Sequence, residues 1–205
     1  MIKRIARIEA VLVLIAAFMF GAARAADLSQ AVILVASQDL DGSPFEQTVV
    51  IAASLPNGGH LGFIVNRPTT VKLEALFPEQ APARNVEEPV YVGGPAVASG
   101  VFALMRSAPD GAETSIPLTP DIVAVLDKAT IDRVIETTPN AARYFVGMML
   151  WDADELEQQV ANGLWEVRPA DADSVLPAKA RGLWNSLRGP MASADGSSLQ
   201  MIAST

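Results

Sequence analysis

Three groups of residues in this chain have types and spacings that chemistry can use. His60, the single histidine, follows Asn57-Gly58-Gly59 at the exit of an expected turn. An imidazole titrates near neutrality, which makes His60 a candidate general base. No nucleophile or orienting acid stands beside it in sequence, so a turn histidine facing solvent is the favoured reading. Asp152, Asp154, Glu155 and Glu157 form a short acidic run with oxygen ligands for a hard cation such as calcium. Calcium loops wrap their ligands around a bend, commonly at glycine, and this run has none. Carboxylates in the first turn of a helix complement its dipole without any ligand, and capping is preferred here. Trp151, Trp165 and Trp184, with Phe145, are candidates for a surface that stacks sugars or peptides. Core packing is the commoner fate of large aromatics in a small domain, and it is preferred.

The rest of the composition removes whole classes of function. The 205 residues are 50% apolar and 19% charged, enough to bury a core, and the net charge is −8. Nucleic-acid affinity rests largely on neutralising phosphates, so no nucleic-acid partner is expected. Without cysteine there is no disulfide, thiolate zinc site, iron–sulfur cluster or cysteine nucleophile. One histidine excludes histidine-rich metal sites and leaves little from which to build a Ser-His-Asp triad. Gly58-Gly59 and Gly93-Gly94 lack the spacing and the lysine of a phosphate loop. No metal and no cofactor is expected.

The elements that must position these residues follow from apolar runs and their punctuation. The stretches 31–36, 48–53, 61–65, 89–92 and 101–105 are short, apolar and rich in β-branched residues, which predicts strands buried on both faces. Asn57-Gly58 between two of them predicts a hairpin. Thr119 as N-cap, Pro120 at the first position and Ile122, Val125, Leu126 and Ala129 on one face predict a helix running to about Ile135, with Thr130 as a possible break. Residues 142–150 return to strand composition, Asp152–Glu155 has the form of a capping box, 164–168 alternates as a strand, and Pro177 opens a last helix through Leu187.

The first 25 residues read as an address. Lys3, Arg4 and Arg7 precede an uncharged run from 10 to 23, and Ala23-Arg24-Ala25 has the small-x-small form of a signal-peptidase site. At ~1.5 Å per residue such a run spans about 21 Å, short of a ~30 Å hydrocarbon core. A cleaved signal is preferred over an uncleaved membrane tether and over a buried helix. The expected organisation is a signal peptide at 1–25, one domain at 26–190 and a disordered tail at 191–205. The mature protein would be periplasmic, with no membrane span left after cleavage.

Four segments are shared with a known group. The opening Leu34-Val-Ala-Ser-Gln-Asp-Leu-Asp-Gly-Ser-Pro-Phe45, the stretch Gly62 to Asn66-Arg67-Pro68, the run Tyr91-Val-Gly93-Gly94-Pro95 with Gly100-Val-Phe-Ala-Leu104, and Val146-Gly147, Trp151, Leu156-Glu157 and Trp165 together resemble the AlgH/YqgE family of small bacterial proteins. The match spans about residues 30–185. The chain departs from the family pattern at Met148, Leu150 and Glu155, at Asp152-Ala153-Asp154, and in its leader, since ordinary members are cytosolic. The resemblance implies an α+β fold: bent, partly barrel-like mixed β-sheets flanked by a few helices, in a single domain. It implies no reaction. The family name comes from an association with alginate-gene regulation, which an exported chain would not perform by binding DNA.

Two functions from different classes are therefore weighed. The preferred one is a non-enzymatic binding or regulatory protein whose partner is another protein or a small anionic ligand. The alternative is a hydrolase that uses carboxylates from separate loops as acid and base. The candidate binding residues are Asn66, Arg67, Pro68, Gly93, Gly94 and Pro95. If the strands before them lie side by side, a cation would sit beside open glycine amides, where an anion fits. Against this stands an internal pairing of Arg67 with an acid, both motifs merely shaping turns.

Overall fold

The computed structural model describes residues 27–108, 115–176 and 178–188. The expected leader at 1–25, the expected tail at 191–205 and Pro177 lie outside these residues.

Three antiparallel strands open the fold: β1 (Val32–Ala36), β2 (Val49–Ser54) and β3 (His60–Ile64). Nearly every residue in them is buried, as continuous apolar runs require of strands covered on both faces. The β2–β3 hairpin turns at Asn57-Gly58, with Gly58 at φ +83°. A short edge strand, β4 (Pro68–Lys72), runs directly into α1 (Leu73–Leu76). Next come β5 (Pro89–Val92), the long β6 (Ala96–Met105), β7 (Ser115–Thr119) and β8 (Ile122–Val125). Helix α2 (Lys128–Thr137) leads into the ten-residue β9 (Ala142–Trp151), and α3 (Glu155–Ala161) into β10 (Trp165–Pro169). Two short helices close the described chain, α4 (Ala172–Val175) and α5 (Leu183–Leu187).

The strands form one curled, half-barrel sheet in the order β10-β1-β2-β3-β9-β6-β8-β7, and β4 joins through β5, which pairs in parallel with β9. The sheet is thus mixed, and among the described residues five helices flank it, the α+β architecture expected from the sequence. Leu34, Ile51, Phe63, Phe145 and Trp151 belong to the larger buried core, while Ile131, Val134 and Ile135 of α2 close a smaller core over Leu73 and Tyr144.

The helix expected from Thr119 is a strand hairpin instead. Strand β8 pairs with both β6 and β7, and Pro120-Asp121 forms the turn between β7 and β8. Helix α2 starts later, where Asp127 Oδ1 accepts the Thr130 N–H at 2.8 Å. Thr130, the expected break, is buried in its first turn. Of the last helix expected from Pro177 through Leu187, the described residues hold only the short α5, entered through Gly182 at φ +88°, while α4, capped by Asp171, lies before Pro177 where no helix was expected.

Candidate functional site

The two proline-ended motifs are neighbours. Pro68 pairs with Tyr91, the Val92 amide donates to the Arg67 carbonyl at 3.0 Å, and the Ile64 amide donates to the Gly93 carbonyl at 2.9 Å. The side chains of Asn66 and Arg67 are engaged from within. Asn66 Oδ1 accepts from the Val49 amide and its Nδ2 donates to the Gln47 carbonyl, both at 2.9 Å. Arg67 donates from Nη1 to the Pro44 carbonyl at 2.5 Å and from Nη2 to the Glu46 carbonyl at 2.9 Å. Together they fasten the loop between β1 and β2, including Gln47, which sits in the left-handed region at φ +55°. Arg67 is thus tied to backbone carbonyls rather than hydrogen-bonded to an acid. Partial burial lowers its pKa, and the nearby Glu46 charge acts in the opposite sense.

The glycine motif is packed as tightly as backbone allows. Phe145 and Val146 of β9 pair with β5 on one edge and with β6 on the other, so the link of Gly93, Gly94 and Pro95 must pass across β9. It crosses at Gly147. A Cβ on Gly93 would lie 2.2 Å from the Gly147 carbonyl oxygen, one on Gly94 2.3 Å from the Met148 carbonyl carbon, and one on Gly147 2.2 Å from the Gly94 oxygen. Gly147 also has φ +71°, which side chains rarely adopt. The Gly93 amide donates to the Val146 carbonyl at 2.8 Å, so it is not an open donor.

The other sequence candidates are likewise absorbed by structure. His60 does not face solvent from a turn. It stands in β3 opposite Trp151, is 3% exposed, and its Nε2 lies 3.1 Å from the Leu28 carbonyl and 3.8 Å from Glu157 Oε1. The strand register that pairs β3 with β9, invisible in the local sequence, buries it. Glu155 Oε2 accepts the Asp152 amide at 3.0 Å, one half of the expected capping box, while Asp154 sits at φ +63° with no side-chain cap. Among the described residues no group of three or more histidine, cysteine or acidic side chains is placed to hold a metal ion. The three tryptophans are buried. Gln159, which no motif flagged, accepts the indole N–H of Trp151 at 3.1 Å and of Trp165 at 2.8 Å.

The arrangement left open lies next to Pro68. Pro68, Thr69, Pro89 and Tyr91 form one side of a groove of about 360 Å³, and Lys179, Ala180 and Arg181 form the other. Most other described cations are engaged: Arg84, Arg106, Lys128, Arg143 and Arg168 with acids, Arg67 and Lys72 with carbonyls, Arg188 with the Trp184 ring. Lys179 and Arg181 make no hydrogen bond, ion pair or ring contact among the described residues. Below them Tyr91 carries the Arg143 guanidinium 4.8 Å from its ring centroid, and Glu88 grips that guanidinium at 2.7 and 2.9 Å. Burial raises the pKa of the Tyr91 phenol. A larger cleft of about 740 Å³ lies around Glu88, Arg106 and Arg143, but the cations in it already have acidic partners.

The family model described as AlgH-like matches residues 33–193. The chain belongs to the AlgH-like family. Curated members include a UPF0301 protein of Chlorobium limicola, 30% identical over 157 residues that cover 75% of this chain and 81% of that one. A second, from Chlorobium phaeobacteroides, is 31% identical over the same shares. The solution structure of the AlgH protein from Pseudomonas aeruginosa superposes with a TM-score of 0.66 at 20% identity, over 87% of this chain and 96% of that one. A crystal structure of a Corynebacterium diphtheriae protein gives 0.66 at 22% identity with the same coverage. At these identities the structures establish the fold of this AlgH-like chain.

Proposed function

We propose that this AlgH-like chain is a non-catalytic binding module that holds an anionic partner in the groove between β4–β5 and residues 179–181. The observation that carries the proposal is the pair of unpartnered cations, Lys179 and Arg181, on one groove wall of an acidic chain. An exposed charge with no partner costs nothing in water, and a groove lined by one sign of charge draws the opposite sign toward it. Asn66, Arg67, Gly93, Gly94 and Pro95 then serve as the frame, and Pro68 alone of the six forms part of the contact surface. With the leader at 1–25 removed, the module would act in the periplasm. Mass spectrometry of protein from its native host should find Ala26 as the first residue.

Poly-L-glutamate added to the full chain at low salt should shift the NMR signals of Thr69, Tyr91 and residues 179–181. The shifts should fade as salt screens the charges and vanish in the Lys179→Glu, Arg181→Glu double variant. Shifts confined to other surfaces would overturn the proposal.

A further inference from the structure

We infer that the anion held in this groove is a phosphate group with three terminal oxygens, an inference that rests on the groove reading above. The donors on the groove walls carry it. Thr69 gives its hydroxyl proton to the Val90 carbonyl at 2.7 Å, and Pro68 and Pro89 have no N–H. Among the side chains of the lining this leaves three donors, Tyr91, Lys179 and Arg181, and no carboxylate or amide acceptor. Such a set suits a ligand that only accepts. Tyr91 is the telling member. It is 5% exposed, yet its hydroxyl makes no hydrogen bond among the described residues, while the Tyr144 hydroxyl donates to the Pro139 carbonyl at 3.0 Å. Nor is the Tyr91 hydroxyl sealed from solvent, so the little surface this residue keeps includes its open donor. A buried hydroxyl ordinarily finds a partner, and this one lines the same groove as two cations that have none.

Both walls are fixed from behind. The Tyr91 ring is held between the Phe145 ring, 5.5 Å away, and the Arg143 guanidinium that Glu88 grips. On the other wall Ala180 is buried in the core, and its carbonyl accepts the Leu183 amide in the turn that follows Arg181. A guanidinium fork takes two oxygens of one anion, whereas an ammonium acts as a point charge. A carboxylate has only two oxygens and gives both to such a fork. A phosphate keeps a third for the Tyr91 hydroxyl, and its charge of nearly −2 at neutral pH matches Lys179 and Arg181 together. Burial raises the Tyr91 pKa above the ordinary 10.0, so the phenol stays a donor wherever the phosphate is a dianion.

Phenyl phosphate and phthalate, both aromatic and both dianions at pH 8, test this when each is titrated into the full chain at low salt. Phenyl phosphate should bind about tenfold tighter, the scale of one hydrogen bond to a charged acceptor, with NMR shifts at Tyr91 and residues 179–181. Tyr91→Phe keeps the ring and should erase that preference at unchanged Tm, leaving the weaker binding of phthalate as it was. Inorganic phosphate separates two sources of the same group. Weaker binding of the inorganic ion assigns a phosphate monoester whose organic part lies against Pro68 and Pro89, and equal binding assigns free phosphate. Equal affinities for phenyl phosphate and phthalate, or a preference that survives Tyr91→Phe, overturn the inference. Shifts in the groove with poly-L-glutamate alone also overturn it and leave the groove reading standing. If none of these anions perturbs the groove, both readings fall.

Discussion

Strand β5 borders two regions built on opposite terms. Beyond its C-terminal end, Gly93 and Gly94 press against Gly147 and Met148 with no space for even one methyl group. On its face, Tyr91 and Pro89 border a groove whose opposite wall presents two cations without partners. In the first region polar groups are satisfied from within and shape is everything. In the second, two cations have no partner among the described residues. The contrast separates residues that make the fold from residues that are free to bind. A motif that looks functional in sequence because its residue types are unusual can be unusual for purely geometric reasons.

The sharpest way to break this contrast is at the crossing. Gly147→Ala combines a positive φ with a Cβ 2.2 Å from the Gly94 oxygen, and should cost about 4 kcal/mol or more, with loss of soluble protein or a fall in Tm of about 10 °C or more. Gly182→Ala is the control: its φ is +88° but nothing lies within 4 Å, so about 1 kcal/mol is expected. Equal effects would show that backbone strain, not the crossing, governs. Gln159→Leu should come next, at about 3 kcal/mol by urea unfolding, because two buried indole N–H groups lose their shared acceptor. Arg67→Ala should cost about 2 kcal/mol and speed hydrogen exchange at Gln47 to Val49, with Arg67→Lys recovering a part because an ammonium lacks the planar fork whose two separate nitrogens reach the two carbonyls. Smallest of all, Lys179→Ala should leave stability within about 0.5 kcal/mol. A clear drop there would remove the distinction between frame and groove.

A pH experiment sharpens the same comparison from the side of burial. The chain has two tyrosines, and burial is the leading cause that raises the pKa of both Tyr91 and Tyr144 above the ordinary 10.0. At pH 10 the folded protein should show little tyrosinate absorbance, and unfolding it at that pH should reveal it. The folded state then holds more protons than the unfolded state, so stability is whole below pH 10 and declines as pH rises above it.

The strands were legible because continuous β-branched runs have few other uses, and the hairpin because Asn57-Gly58 has a single strong meaning. The stretch from 119 to 135 was not, since Ile122, Val125, Leu126 and Ala129 satisfy a helical face while the apolar run 122–125 equally satisfies a buried ladder. Only pairing with β6 and β7 decides between them. His60 misled for a related reason: local turn chemistry implied exposure, and burial came from Trp151 on a strand some ninety residues away. Asn66, Arg67, Gly93 and Gly94 were found by their types, but their neighbours in space are loop carbonyls and a distant glycine. Lys179 and Arg181 form no motif, and what marks them is the lack of partners, a property that exists only in three dimensions.

The crossing of β9 also sets an order of events. β9 pairs with β3, β5 and β6, and the link it passes under is made long before residues 142–151 leave the ribosome. Until then β3 and β5 lack their partner on one edge, and the two halves of the sheet share no central strand. The nascent chain therefore cannot close its sheet locally. It waits for a non-local strand to settle beneath a short, glycine-lined bridge, the kind of late pairing that slows folding and leaves edges open to aggregation.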